Sequence, residues 1–121
     1  MADILKKIIG DMDAKKEYKA YKKRISELPD GYRDIFEEIE KYMMHFGNGN
    51  EEFMKTLYNL LDMFEESAAE NKNIMDIVGN DIGTFCEDIL KAVPEITWEN
   101  DYKKKLQRRL NEKIDNSENK K

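Results

Sequence analysis

Along most of the chain, apolar residues recur at intervals of three and four. They never alternate with polar residues over five or more positions, so the pattern predicts an all-α protein of about six helices with no sheet. Ile4, Leu5, Ile8 and Ile9 form one helical face after a candidate cap at Asp3, and Gly10 is expected to end that short helix in the left-handed conformation. From Asp11 to Leu28, the positions Ala14, Tyr18, Tyr21, Ile25 and Leu28 keep one stripe on one side of a second helix, which Pro29 closes. Asp30 is expected to cap a third, with inner face Tyr32, Ile35, Phe36, Ile39, Met43 and Phe46, before the loop Gly47, Asn48, Gly49, Asn50.

Asn50 opens the most apolar helix, with Phe53, Leu57, Leu60, Leu61, Phe64 and Ala68 on its inner side and Glu51 and Glu52 well placed near its positive end. It is the expected centre of the fold. A short helix over Ile74 to Val78 is cut off at Gly79, and Asp81 caps the next, whose inner face is Ile82, Phe85, Cys86, Ile89, Leu90 and Val93. After Pro94, Thr97 caps a last helix with Trp98, Tyr102, Leu106, Leu110 and Ile114 at fourfold spacing, expected to bury like the others. Residues 115–121 carry no apolar side chain and are expected to be a disordered tail, leaving residues 1–114 as one domain.

Composition narrows this picture. Leu, Ile, Val and Phe supply 27 of 121 residues, near the floor for a folded chain, so the core should be thin and helped by seven Met and six Tyr. Most of the Met residues are expected to fill that core rather than mark an adaptable binding surface. No run approaches the apolar length needed to span a bilayer and no apolar leader is visible, so no membrane partner and a cytoplasmic location are expected. The single Cys86 excludes an internal disulfide and a multi-cysteine zinc site.

The segments KKIIGD, EYKAYKKRISELP, KYMMHF, LYNLLDMFEESAAENK and IVGNDIGTFCEDIL together resemble one family of small helical proteins of Gram-positive bacteria, domain of unknown function ten forty-eight. Its most specific element here is the ordered series Gly79, Asp81, Phe85, Cys86. The resemblance implies helices packed as a left-handed superhelical bundle, frequently encoded beside PadR-type transcription regulators. It implies no established activity, and it supplies no catalytic or ligand residues.

A ferritin-like label loosely given to such proteins fails on the residues. A di-iron bundle needs two Glu-x-x-His pairs, whereas the only histidine, His45, follows Tyr42 at that spacing and is read as a partly buried residue. Asp11 and Asp13 match the first and third positions of a calcium loop, but Lys16 stands where the turn needs Gly and Lys22 where it needs Glu, so the pair is read as helix-capping. The polar loop of Asn48, Asn50, Glu51 and Glu52 is read as loop and cap rather than cation site. Cys86 sits on an apolar stripe, where the thiolate needed for nucleophilic chemistry is disfavoured. No phosphate-binding glycine run is present, and no enzyme activity, cofactor or metal is expected.

Charge is the most informative feature. Residues 1–24 carry net +4, residues 25–101 net −14 and residues 102–121 net +5, for a total of −5. One consequence is internal: the basic second helix (Lys15, Lys16, Lys19, Lys22, Lys23, Arg24) and last helix (Lys103, Lys104, Lys105, Arg108, Arg109, Lys113) flank and neutralise the acidic centre. The other is an acidic face for a basic protein partner, comprising Glu37, Glu38, Glu40, Glu51, Glu52, Asp62, Glu65, Glu66 and Glu70. With the resemblance, it makes a PadR-type transcription regulator the favoured partner of a non-enzymatic interaction module, with homodimer formation a further expectation. The alternative is nucleic-acid binding through the basic terminal helices with Trp98 and Tyr102 as stacking residues. Overall acidity opposes it, and aromatic residues on such a stripe are read as core.

Overall fold

The computed structural model describes the backbone of residues 2–119 and the side chains of residues 10 and 12–117. Its elements are α1 (Ala2–Ser26), α2 (Asp30–Phe46), α3 (Glu51–Ala69), α4 (Met75–Val78), α5 (Ile82–Ala92), a 3-10 turn at Pro94–Ile96, and α6 (Trp98–Asn119). Among the described residues there is no strand, as the periodicity predicts, only an isolated antiparallel bridge between Gly47 and Thr97.

The first departure from the sequence expectation is at Gly10, which lies inside α1 and does not stop it. A glycine within a helix costs only about 1 kcal/mol relative to alanine, less than leaving a set of helix-end hydrogen bonds unmade. Asp13 therefore sits in the helix interior, so the capping role read for the Asp11 and Asp13 pair does not hold there. The stripe of Ile4, Leu5, Ile8 and Ile9, and the side chain of Asp11, lie outside the described side chains. At the other end, α6 continues to Asn119, past the boundary expected at residue 114.

Three caps form as their sequences predict. Asn50 Oδ1 accepts from the Phe53 backbone N–H at 2.8 Å, Asp81 Oδ1 from Thr84 at 3.0 Å, and Thr97 Oγ1 from Asn100 at 3.1 Å. Asp30 is not a cap. Pro29 takes the N-cap position with an extended ψ of 148°, and the Asp30 carboxylate instead meets Arg33 at 2.7 Å.

The core is built from the C-terminal half of α1 (Tyr21, Ile25), Leu28 just beyond it, α2 (Phe36, Ile39, Met43) and the full inner face of α3 (Phe53, Leu57, Leu60, Leu61, Phe64). Val78, Cys86 and Ile96 close it from α4, α5 and the 3-10 turn. The Phe36 and Phe64 rings meet edge to face, 5.2 Å between centroids, at its centre. Ser67 replaces Ala68 as the last buried residue of the α3 face. Gly79 ends α4 at φ 72°, a backbone conformation that glycine adopts without Cβ strain.

The loop after α2 is the junction of the fold. A Cβ at Gly47 would overlap the Phe53 ring and come within 2.7 Å of the Met43 carbonyl oxygen, so close approach of α3 to the α2 terminus requires glycine there. The Asn48 backbone N–H donates to Ile96 O at 2.7 Å, and its side-chain amide donates to Glu95 O at 3.0 Å and Asp101 Oδ2 at 2.9 Å. The Asn50 amide also donates to Glu95 O, at 3.1 Å. This loop therefore fixes the base of α6 against the body.

Candidate functional site

The nine acidic residues singled out in the sequence do not form one free face. Glu40 is only 8% exposed; its carboxylate accepts from the Tyr21 hydroxyl and from Lys22 Nζ, each at 2.6 Å. Burial first, then the bond to Glu40, hold the Tyr21 phenol protonated far above its ordinary range. Burial pulls the Lys22 ammonium downward, but the hydrogen bond and charge of Glu40 outweigh it and the net direction is upward. Asp62 and Glu65 converge on Arg24, with Asp62 Oδ1 at 2.5 Å from Nη2 and Glu65 bonded by both its oxygens. Hydrogen bonds from Arg24 to Glu65 and Asp62 raise the guanidinium pKa further.

The basic second segment thus neutralises part of the acidic centre through Lys22 and Arg24, joining α1 to α2 and α3. Periodicity did not reveal that Glu40 points inward. The visible signal was its place one position from Ile39, on the edge of the buried face of α2. The remaining acids are exposed, and several pair within their own helix: Glu38 with Lys41, and Glu51 and Glu52 with Lys55. Glu70 meets Lys72 beyond the end of α3. Glu37 and Glu66 stand exposed on α2 and α3.

The larger surprise is α6. Trp98, Tyr102, Leu106, Leu110 and Ile114, expected to be core, are 47–65% exposed. Strict fourfold spacing on a helix of 3.6 residues per turn advances the stripe by about 40° at each step, so it winds around the helix instead of facing one neighbour. Among the described residues, α6 meets the body at its base, beside the 3-10 turn and the junction loop. On the same helical projection, Lys103, Lys105, Arg109 and Lys113 border the winding stripe, so the middle turns of α6 are a basic amphipathic segment with an uncovered apolar ridge, while Glu99 and Asp101 border it at the base.

Two clefts flank the junction. One, of about 600 Å³, lies between the end of α2, α5 and the first turn of α6, and has Tyr42, Phe46, Leu90 and Trp98 on its walls. Phe46, expected on the inner face, and His45, expected to be partly buried, are both exposed at its edge, with their rings 4.6 Å apart. The other, of about 500 Å³, runs between α1 and α3, with Ala14, Tyr18, Met54 and Tyr58 as its apolar lining and Asp13, Glu17 and Glu51 along it. Burial raises the Tyr58 phenol pKa and the nearby Glu17 charge raises it further.

No group of three or more potential metal ligands occurs among the described residues. Cys86 is buried, and burial pushes its thiol pKa up, away from the reactive thiolate. No helix of the described residues is long and apolar enough to cross a membrane.

Comparisons with known proteins bear on the whole fold rather than on a site. The pattern of the family described as "Protein of unknown function (DUF1048)" matches residues 8–111. The chain is similar to a solved structure, a DUF1048 protein with a left-handed superhelix fold from Bacillus cereus ATCC 10987. The two are 33% identical with a TM-score of 0.54, and the match covers 60% of this chain and 90% of that one. No curated protein matches the chain.

Proposed function

The chain belongs to the DUF1048 family of helical proteins of unknown function, and on that premise we propose that it is a non-enzymatic, cytoplasmic protein-interaction module whose working element is α6. The observation that carries this reading is the uncovered ridge from Trp98 to Ile114. A monomer rarely leaves a contiguous apolar surface in water, and one bordered by polar residues marks a place where another surface docks. The partner class we favour is a transcription regulator of the PadR type, on the strength of the family resemblance. It would meet the acidic residues that α1 leaves exposed, among them Glu37, Glu38, Glu66 and Glu70, while α6 supplies the apolar contact.

The test is capture of a purified PadR-type regulator of the source organism on the immobilised protein at low salt, where charge attraction is strongest. Retention is expected, weakened by Leu106→Glu and by reversal of Glu37 and Glu66 to Lys. Failure of the wild-type protein to retain the regulator at low salt counts against that partner. Retention unaffected by Leu106→Glu removes α6 from the interface.

A second reading, single-stranded nucleic-acid binding, is favoured by the exposure of Trp98 and Tyr102 beside Lys103 and Lys105. Stacked bases would cover those two rings but not Leu106, Leu110 and Ile114 on the same ridge, so a protein surface accounts for more of the stripe. A gel shift at low salt with no retarded band dismisses it.

A further inference from the structure

Resting on that reading of α6 as a docking helix, we propose that the first occupant of its ridge is a second copy of this chain. Each α6 lies in the partner's cleft between α1 and α3, and the exchange is reciprocal.

Charge selects this pairing over the simpler one. Two α6 helices laid against each other about Leu106 in antiparallel register would bring their basic borders together, with Lys103 of one level with Arg109 of the other, like charges beside the contact. The α1/α3 cleft offers the complement: an apolar lining of Ala14, Tyr18, Met54 and Tyr58, with Asp13, Glu17 and Glu51 beside it. The one lysine among its described lining residues, Lys55, lies 3.9 Å from Glu51 and 3.6 Å from Glu52 on its own helix. The borders of the ridge, Lys103, Lys105, Arg109 and Lys113, are opposite in sign to that rim.

Shape and position agree with charge. A ridge built on every fourth residue packs best against a helix crossing obliquely, at about 50°, so it suits an open cleft rather than a parallel bundle neighbour. The junction loop borders the cleft through Gly49 and Asn50 and holds the base of α6 through Asn48 and Asp101. Helix and cleft therefore spring from one place, and a two-fold axis beside that loop lets both exchanges occur at once. A closed pair of this kind buries two surfaces of every copy and leaves no end for further growth.

The test is the mass of the purified full chain in solution, by size-exclusion chromatography with light scattering at low salt. The expected species is a dimer of twice 14.3 kDa. Leu106→Glu, at a position exposed in the single chain, should return it to 14.3 kDa with unchanged helical circular dichroism. Reversing the rim (Asp13→Lys with Glu17→Lys) or the ridge border (Lys105→Glu with Arg109→Glu) should each dissociate the dimer, and the four changes together should restore it.

A monomeric wild-type protein overturns the proposal, and its flotation with anionic vesicles would identify a lipid surface as the occupant instead. A dimer untouched by Leu106→Glu, or tightened by the ridge reversal alone, also overturns it, the latter by revealing α6 paired with α6. Failure here is separable from failure of the interaction reading. A monomer whose capture of the regulator is still lost in Leu106→Glu keeps α6 as a docking helix with a different occupant, whereas loss of neither mass nor capture removes both.

Discussion

Helices α3 and α6 each carry a stripe of large apolar residues at helical spacing, yet one is the centre of the core and the other stands in solvent. On α3, Phe53, Leu57, Leu60, Leu61 and Phe64 are 0–4% exposed, whereas the five residues of the α6 ridge are about half exposed. The difference lies in arrangement as well as in the much more polar composition of α6. The α3 positions mix steps of three and four and so stay on one side, where α2 and the 3-10 turn cover them; the α6 positions step by four throughout and wind away from any single neighbour. Charge separates the helices as well. α3 is flanked by acids that Arg24 of α1 engages, whereas α6 is flanked by bases whose complement lies in a cleft on the far side of the junction loop. An apolar stripe therefore signals that a surface will be covered, and the geometry of the steps helps decide whether the same chain covers it.

The sharpest way to test the contrast is truncation on both helices. Leu61→Ala should cost about 2–5 kcal/mol, because it removes fully buried atoms and leaves a cavity. Leu110→Ala, measured at concentrations dilute enough to hold the protein monomeric, should change stability by no more than about 0.5 kcal/mol. Urea denaturation of the two variants checks both, and similar losses would mean that α6 is packed in the single chain.

Removing the buried acid that fastens α1 to α2 should rank next. Glu40→Ala strips the Tyr21 hydroxyl and Lys22 of their shared partner and should destabilise by about 1–3 kcal/mol. The same denaturation curve reports it, and an exposed acid such as Glu37, replaced in parallel, should have little effect.

A smaller effect is expected at the base of α6. Thr97→Ala deletes the cap on Asn100 N–H and should cost about 1 kcal/mol, expressed as faster amide exchange in the first turn of α6 with the α3 amides unchanged.

The smallest near neutrality is the response to pH. The folded protein holds Tyr21 and Lys22 protonated above their ordinary values of 10.0 and 10.5. The folded state thus binds more protons than the unfolded chain at high pH, so this stabilisation is complete below pH 10 and declines as pH rises above it. Thermal melts should be level on this account through neutrality and fall beyond that point, and Tyr21→Phe should blunt the alkaline decline. Asp81 works in the opposite sense: bonds from the Thr84 backbone and side chain lower its pKa, so its contribution is present above 3.8 and lost on acidification.

What the sequence determined by itself is set by short-range physics. The caps at Asn50, Asp81 and Thr97 require only a side chain and a backbone N–H three residues on, and the buried faces of α2 and α3 follow from periodicity over a few turns. The resemblance carried by the Gly79 to Cys86 series extended this to the left-handed superhelix. The fourfold steps of α6 already bore on its uncovered ridge, whereas the tertiary structure alone decided the continuity of α1 through Gly10, the inward turn of Glu40 to Tyr21 and Lys22, and the exposure of His45 and Phe46. Each depends on which elements meet, and residues distant in sequence fix that through packing and charge, for which spacing within one helix carries no record.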